Sequence, residues 1–412
     1  MARAVQGGVM AKPNSYDAII LGAGGAGLMC AQTAGQRGKR VLVIDHATGP
    51  GKKILISGGG RCNFTNVNAT TTHAQERYLS ANPHFSKSAL GRYTPQDFID
   101  LVSAHKIAFH EKTLGQLFCD GSARQIVAML MDECDKSVAA GGRVDFVFDA
   151  PVGDVGHDGS EYSVTYNGLR AHAPSLVLAT GGPSIPKMGA TAFAYDLARQ
   201  FGLKIVEPRP ALVPLTLGGD DVLFRELSGV SADVVTRHGK AAFREAALFT
   251  HRGLSGPAVL QISSYWKPGD RVEIDFLPDL DASELLLSEK RARPRATIRS
   301  TLDRVLPNRL AEALAEKIAL NGNLADQSDR KLADAGALLD SWPFVPNGSE
   351  GYAKAEVTLG GISTDGLSQQ TMEARKVAGL YCIGEAVDVT GWLGGYNFQW
   401  AWASGVAAGQ SL

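Results

Sequence analysis

The chain has little of what would set it apart from ordinary globular enzymes. Its five cysteines, Cys30, Cys62, Cys119, Cys134 and Cys382, are odd in number and have no CxxC spacing, which argues against both a disulfide framework and a zinc site. Charge of one sign is lacking too. The 41 Lys and Arg against 42 Asp and Glu leave a formal charge of -1, so no global field draws the chain to nucleic acid or anionic lipid, although a local basic patch is still allowed. No run approaches the roughly 20 apolar residues of a membrane helix, and Met1 to Ser15 (MARAVQGGVMAKPNS) has no apolar core of signal-peptide length. The cytoplasm is therefore the expected compartment. A second GxGxxG is missing as well, so no dedicated nicotinamide domain is visible and NAD(P)H enters only as a candidate external electron donor.

What is present begins at Tyr16. The stretch to Asp45 reads YDAIILGAGGAGLMCAQTAGQRGKRVLVID: an apolar strand, a glycine turn, a helix-compatible run broken at Gly38, and a second strand ending in an acid. This is the βαβ unit of a dinucleotide site. Gly22 permits the sharp turn, Gly24 has no Cβ to hold a pyrophosphate away, and Gly27 lets helix and strand pack closely. The phosphates then meet a helix N-terminus. Asp45 has the type and spacing to accept hydrogen bonds from ribose hydroxyls. Glycine clusters also occur in plain loops, but not usually between two such strands.

A second glycine-rich stretch, Ser57-Gly58-Gly59-Gly60-Arg61-Cys62-Asn63-Phe64-Thr65-Asn66, combines open backbone N–H groups with a planar cation. That suits phosphate or an electron-rich ring edge better than it suits a spacer. Cys62 has no partner cysteine nearby and reads as a packed thiol. Residues 73 to 140 read as mainly helical, with Thr94 and Ser122 as helix starts. From Arg143 the period changes to strands, Asp158-Gly159 and Asn167-Gly168 mark hairpins, and a three-stranded meander leads into Ser175 to Leu178 and then Ala179-Thr180-Gly181. A meander between a βαβ unit and an Ala-Thr-Gly strand is the layout of a glutathione-reductase-like FAD fold.

The composition shifts near Leu203. Residues 204–278 carry short β-like runs broken by Pro and Gly, and 283–340 turn helical. Within this insert His251 and Arg252 form a candidate substrate or proton-transfer pair, or a turn capping the next helix with Ser255. A basic run, Lys290, Arg291, Arg293, Arg295, Arg299, Arg304 and Arg309, puts Arg291, Arg295 and Arg299 on one face if the helix continues through Pro294. It reads as an RNA-phosphate stripe or as a solvated face. The C-terminal part supplies a strand ending at Gly384-Glu385, then Asp388, Gly395, Tyr396 and Asn397 ahead of a helix of small residues. These offer carboxylates for a ribityl chain and a helix N-terminus for a reduced flavin ring.

The motifs SGGGRCNFTN at 57–66, ATGG at 179–182, FTHRGLSGP at 249–257, AEVTLGGI at 355–362, TMEAR at 371–375 and GEAVDVTGWLGGYNFQWAW at 384–402, together with the turn at 22–27, resemble those of the flavoproteins called YhiN-like, BaiN-like or aminoacetone-oxidase-family. The resemblance spans nearly the whole chain from Tyr16. It implies a noncovalent FAD held by a discontinuous domain with one insertion, and it likens Glu385 to the acid that holds ribityl hydroxyls in related flavoproteins. Cys119 stands where proline is expected in many such relatives. The substrates proposed within that family differ in kind, so the resemblance leaves the reaction open.

The expected fold is α/β, a glutathione-reductase-like FAD-binding Rossmann domain at 14–203 and 343–412 with an inserted β-barrel-like plus helical domain at 204–342. The expected FAD contacts are Gly22, Gly24, Gly25, Ala26, Gly27, Asp45, His46, Lys53, Ser57, Gly58, Gly59, Gly60, Arg61, Cys62, Asn63, Ala179, Thr180, Gly181, Gly384, Glu385, Asp388, Gly395, Tyr396 and Asn397, with no metal. The expected activity is that of an FAD-dependent oxidoreductase exchanging hydride with a small organic molecule, nucleic acid being disfavoured as a partner. An RNA-modifying flavoenzyme and a non-enzymatic flavin sensor are the alternatives.

Overall fold

The protein is described from a computed structural model covering residues 15–412. The stretch used above to argue against a leader lies, but for Ser15, outside the described residues, as does position 14. Two compact units emerge: the chain up to Pro208 together with Thr358–Leu412, and Arg209–Val357. Composition placed these boundaries earlier, at 203/204 and 342/343. The second boundary moves because strand pairing, not composition, decides membership. Trp342–Phe344 pairs with Val272–Asp275, and Gly348–Ser349 pairs with Leu215–Thr216.

The first unit is built on a five-stranded parallel sheet. Strand β1 (Ala18–Leu21) lies at its centre, between β2 (Arg40–Ile44) and Ser175–Leu178; Arg143–Val147 and Leu380–Cys382 form the edges. All four residues of β1 are fully buried, as expected of a parallel strand covered on both faces. Helix α1 (Gly25–Gly35) makes the crossover to β2. The meander Val152–His157, Tyr162–Tyr166, Leu169–Ala173 forms its own antiparallel sheet.

The C-terminal helix Tyr396–Gly409 packs along α1 at very short range. A Cβ on Gly405 would stand 2.6 Å from the Ala26 carbonyl oxygen, and one on Gly409 would stand 2.7 Å from that of Cys30. Small residues at these positions let the two backbones touch. On its other side Trp402 stacks on Phe98 (4.5 Å, 8°) and donates its indole N–H to the Phe64 carbonyl at 2.8 Å. Trp400 donates to the Gly384 carbonyl at 3.0 Å. Both indoles are buried with their polar handles satisfied.

Residues 73–140 depart from the mainly helical expectation. Phe109–Glu111 and Gln116–Cys119 pair with each other and with Asn63–Asn66 in a small antiparallel sheet. Such short strands have no periodicity to read and form because the SGGGRCNFTN segment supplies a partner edge. Thr94 and Ser122 do cap the helices Pro95–Ala104 and Ala123–Asp135, each with a capping box.

The second unit carries a seven-stranded sheet. Its longest strand, Ala241–Thr250, is alanine-rich and was not anticipated; it pairs from Ala241 to Leu248 with Ser231–His238 and at its end with Gly253–Ser255. The helix after His251 starts at Pro257 with Gly256 as its N-cap, not Ser255, because Gly256 takes a positive φ of 86°. The basic run is not one helix. The helix Ala282–Ala292 ends before Pro294, and Thr297 caps a new one at Ile298–Leu302, so Arg291 and Arg299 do not share a face and Arg295 lies between the helices. Among the described residues no helix is long and apolar enough to cross a membrane.

Candidate cofactor site

The glycine turn leaves β1 and enters α1 under tight steric limits. Gly22 has φ +107°, and a Cβ there would meet the Ala179 carbonyl oxygen at 2.5 Å. A Cβ on Gly27 would lie 1.9 Å from the Gly22 carbonyl oxygen, and one on Gly25 would lie 2.7 Å from Trp402. Gly24 differs: nothing lies within 4 Å of its hypothetical Cβ. The turn is thus closed against the protein on three sides and open where a pyrophosphate would approach.

No side chain caps α1, which leaves its first N–H groups to a ligand or to water. Beside it, the Thr180 hydroxyl is buried without a partner. An uncapped helix N-terminus, an open wedge over Gly24 and an orphaned hydroxyl are what a dinucleotide phosphate would satisfy, so these residues fit FAD.

Asp45 ends β2 and folds back on the turn. Its Oδ2 accepts from the Ala23 N–H at 2.7 Å and its Oδ1 from the Ala47 N–H at 2.8 Å. Each oxygen keeps a lone pair for a further donor. His46 is half exposed and stands against Gly189.

Across the Gly181 backbone sits Glu385, whose Oε2 would be 3.7 Å from a Cβ on Gly181. Gly384 presses on Ala26, whose Cβ would stand 2.8 Å from a Cβ placed on the glycine. The Glu385 carboxylate is held by three donors: Lys53 Nζ to Oε2 at 2.9 Å, Ser184 Oγ to Oε1 at 2.7 Å, and the Thr358 N–H to Oε1 at 3.1 Å. Lys53 also donates to Ser184 Oγ at 2.9 Å. This clasp ties Lys53 and Ser184, 131 residues apart in sequence, to Thr358 and Glu385. Ser184 and Thr358 were not among the expected site residues. Each follows or sits within a recognisable motif, but only the fold brings them to one carboxylate.

The other expected contacts separate by role. Gly58, Gly59 and Arg61 are exposed, and Gly58 and Gly59 have φ of +55° and +66°. Cys62 is buried, and burial pushes its thiol up to about 12. The Ser57 hydroxyl turns back to the Ile54 carbonyl. Asn63 is buried beside Gln116, and Gly395 presses on Thr65, its hypothetical Cβ being 2.4 Å from that carbonyl oxygen. Asp388 points at the Ser80-Ala81 loop, accepting from the Ala81 N–H at 2.8 Å, and burial raises its pKa. Asn397 closes its own turn on Gly391 at 2.8 Å in both directions. Tyr396 is buried and accepts from Arg77 Nη1 at 2.7 Å. His251 and Arg252 belong to the second unit, on the exposed turn between Ala241–Thr250 and Gly253–Ser255, where Arg252 lies 3.6 Å from Glu350.

The family model described as HI0933-like protein Rossmann domain matches residues 16–411. Among curated proteins, the ribosomal RNA dihydrouridine synthase of Escherichia coli is 52% identical over 406 residues, covering 96% of this chain and 98% of that protein. The 3-dehydro-bile acid delta(4,6)-reductase of Clostridium scindens is 28% identical over 418 residues, covering 95% and 98%. Among solved structures, the 3-ketosteroid delta1-dehydrogenase of Sterolibacterium denitrificans aligns with a TM-score of 0.53 at 12% identity, over 97% of this chain and 99% of that one, a likeness of fold alone. The first of these overturns the expectation of a small-molecule substrate with nucleic acid disfavoured, because a relative sharing half its residues with this chain is named for its action on ribosomal RNA.

Proposed function

For a chain that belongs to the HI0933-like FAD-binding Rossmann family, we propose the FAD-dependent reduction of uridine to dihydrouridine in ribosomal RNA. The observation that carries this reading is the 52% identity to the Escherichia coli synthase over nearly the full length of both chains. The bile acid reductase name adds a chemical parallel. A 3-oxo group conjugated to double bonds at positions 4 and 6, as that name describes, and the uracil ring both present a C=C conjugated to a carbonyl, a bond whose reduction takes one hydride and one proton.

When bound, FAD supplies the two-electron chemistry. The chain's residues bind and orient it. The Gly22–Gly27 turn and the start of α1 take the pyrophosphate, and Asp45 takes the ribose. Glu385, kept in place by Lys53 and Ser184, takes the ribityl hydroxyls. The start of the helix Tyr396–Gly409 would serve the ring end, where its dipole would favour negative charge by about 1 kcal/mol, or ~2 when partly buried. A ribosomal RNA substrate fits a cytoplasmic location.

The test is an unmodified ribosomal RNA transcript incubated anaerobically with FAD-loaded protein and dithionite, NADH or NADPH in separate arms. Digested nucleosides are then read by mass spectrometry. Dihydrouridine at a defined position is the expected result; unaltered uridine in every arm refutes the reading.

Four cations of the basic run are already ion-paired, which counts against it as the grip on the RNA. Arg291 pairs with Glu284 at 2.6 Å, Arg299 with Glu312 at 2.7 Å, Lys290 with Asp329 at 2.7 Å, and Arg304 with Glu289 at 2.8 Å. These cations are already matched within their own unit. Replacing Arg291, Arg295 and Arg299 together by Gln is expected to weaken RNA binding less than about threefold and to leave the slope of log affinity against log salt nearly unchanged, whereas three lost phosphate contacts would reduce it by roughly 2 to 2.7. A filter-binding titration at several salt concentrations decides between these outcomes.

A further inference from the structure

Reduction of uridine needs a proton for C5 as well as a hydride for C6. The thiols differ from a donor with a paired conjugate base: all five are buried, burial pushes Cys62 up to about 12 and Cys119 to about 11, and no cationic side chain opposes either shift. Asp388 is engaged by Ala81, and Lys53 is committed to Glu385 and Ser184.

One group in this unit is arranged differently. Tyr396 is the first residue of the C-terminal helix, directly after Gly394-Gly395. One turn further along, on the same face of the helix, Trp400 donates its indole N–H to the Gly384 carbonyl at 3.0 Å, beside Glu385. Tyr396 therefore stands about one helical turn, ~5.4 Å of axis, from the contact beside Glu385, the residue assigned above to the ribityl chain.

The Arg77 guanidinium is wedged between two rings, 5.7 Å from Trp392 and 5.8 Å from Tyr396. Its Nη1 donates to the Tyr396 hydroxyl at 2.7 Å, while its Nε is buried without a partner. A guanidinium has only donors. In this contact the phenol oxygen is therefore the acceptor, and its own hydrogen is directed elsewhere. A phenol that receives a hydrogen bond from a fixed cation is set up to give its proton away, because the phenolate left behind is already paired.

We propose that Tyr396 is the proton donor of the reaction and that Arg77 stabilises the phenolate it leaves. This rests on the uridine-reduction reading. The balance is complete: hydride derived from reduced FAD forms the C6–H bond, the Tyr396 O–H bond breaks as the C5–H bond forms, and the phenolate recovers a proton from water. An external two-electron donor restores the flavin. Burial raises the phenol above its ordinary pKa while Arg77 opposes that shift and Glu76 adds to it, so the hydroxyl is protonated at neutral pH, as a donor must be. Tyr78 also borders the group, its ring 5.9 Å from that of Tyr396 and its hydroxyl donating to the Tyr396 carbonyl at 3.1 Å.

The test uses FAD-loaded protein with three substitutions, Tyr396→Phe, Arg77→Met and Arg77→Lys. Tyr396→Phe is expected to retain flavin and bind the ribosomal RNA transcript within twofold of the unaltered protein, to be reduced by dithionite at the same rate, and to lose about 100-fold or more in reoxidation by RNA. The second readout needs no substrate. The tyrosinate absorbance titration of the unaltered protein minus that of Tyr396→Phe isolates this phenol. Arg77→Met should move the midpoint to higher pH, and Arg77→Lys should restore most of it.

Undiminished reoxidation in Tyr396→Phe, or a midpoint indifferent to Arg77→Met, overturns the proposal. If the unaltered protein itself fails to reduce the transcript, the RNA reading falls, and the titration alone judges the Arg77–Tyr396 pair. If Tyr396→Phe loses flavin or folds poorly, the Arg77→Met and Arg77→Lys reoxidation rates replace it. Loss with Met and recovery with Lys supports the proposal, and equal rates overturn it.

Discussion

Protein carrying Gly27→Val is expected to purify without flavin and to melt at lower temperature than the unaltered chain. The added Cβ would sit 1.9 Å from the Gly22 carbonyl oxygen and 3.1 Å from its carbonyl carbon. Both are backbone atoms of the turn, so no side chain can rotate away to make room. Overpacking of this kind costs about 1 to 3 kcal/mol, or more where the neighbour cannot yield. Relief requires α1 to draw back from β1, which opens the turn that would cradle the pyrophosphate. The ratio of flavin to protein absorbance after purification and after FAD reconstitution checks the binding, and calorimetry checks the stability. Gly24→Ala makes the control. With open space around that Cβ the fold should be unharmed while FAD affinity falls, so equal damage to stability from both substitutions would show that the turn's role is structural alone.

Glu385→Gln is expected to weaken FAD binding by about 10- to 150-fold, the worth of a hydrogen bond to a charged group, ~1.5 to 3 kcal/mol. Two effects add. The ribityl hydroxyls lose a charged acceptor, and Lys53, with its ammonium now facing a neutral amide, loses the ion pair that orients it toward Ser184. The Lys53 and Glu385 side chains are 33% and 21% exposed, so solvent screens the pair and stability should fall only modestly, by about 1 kcal/mol. Flavin fluorescence quenching measures the affinity, and thermal melts of the apoprotein measure the stability. Lys53→Met separates the contributions. An FAD affinity unchanged in Glu385→Gln but lowered in Lys53→Met would assign the ligand contact to the lysine and leave Glu385 as its holder.

These two expectations draw on different kinds of legibility. The glycine turn could be read from local sequence because each constraint on it is local. A strand end, a sharp turn and a helix start fall within about ten residues, and the glycines mark where backbone must approach backbone. The helix starts at Thr94 and Ser122 were legible for the same reason, since a capping box is completed within four residues. The clasp on Glu385 was not. Its donors come from Lys53, Ser184 and Thr358, and nothing in the spacing of those positions says that one carboxylate will collect them.

The basic run is the opposite case. Its charges were plain in the sequence, but their partners, Glu284, Glu289, Glu312 and Asp329, are assembled by packing of the insert helices. The substrate was beyond local reading altogether. A net charge of -1 describes the whole field and says nothing of what one surface can bind, and the RNA reading comes from likeness to a named relative.

By itself, then, the sequence determined the dinucleotide turn, the parallel strands that carry it and the FAD-type layout around them, because hydrophobic periodicity and glycine sterics act over a few residues. Tertiary structure alone decided which strands belong to the insert, which cations are already matched, which donors hold Glu385, and that Arg77 meets Tyr396 across 319 positions of chain. Hydrogen bonds and ion pairs between distant residues depend on where the backbone returns, and that is set by the packing of the whole unit.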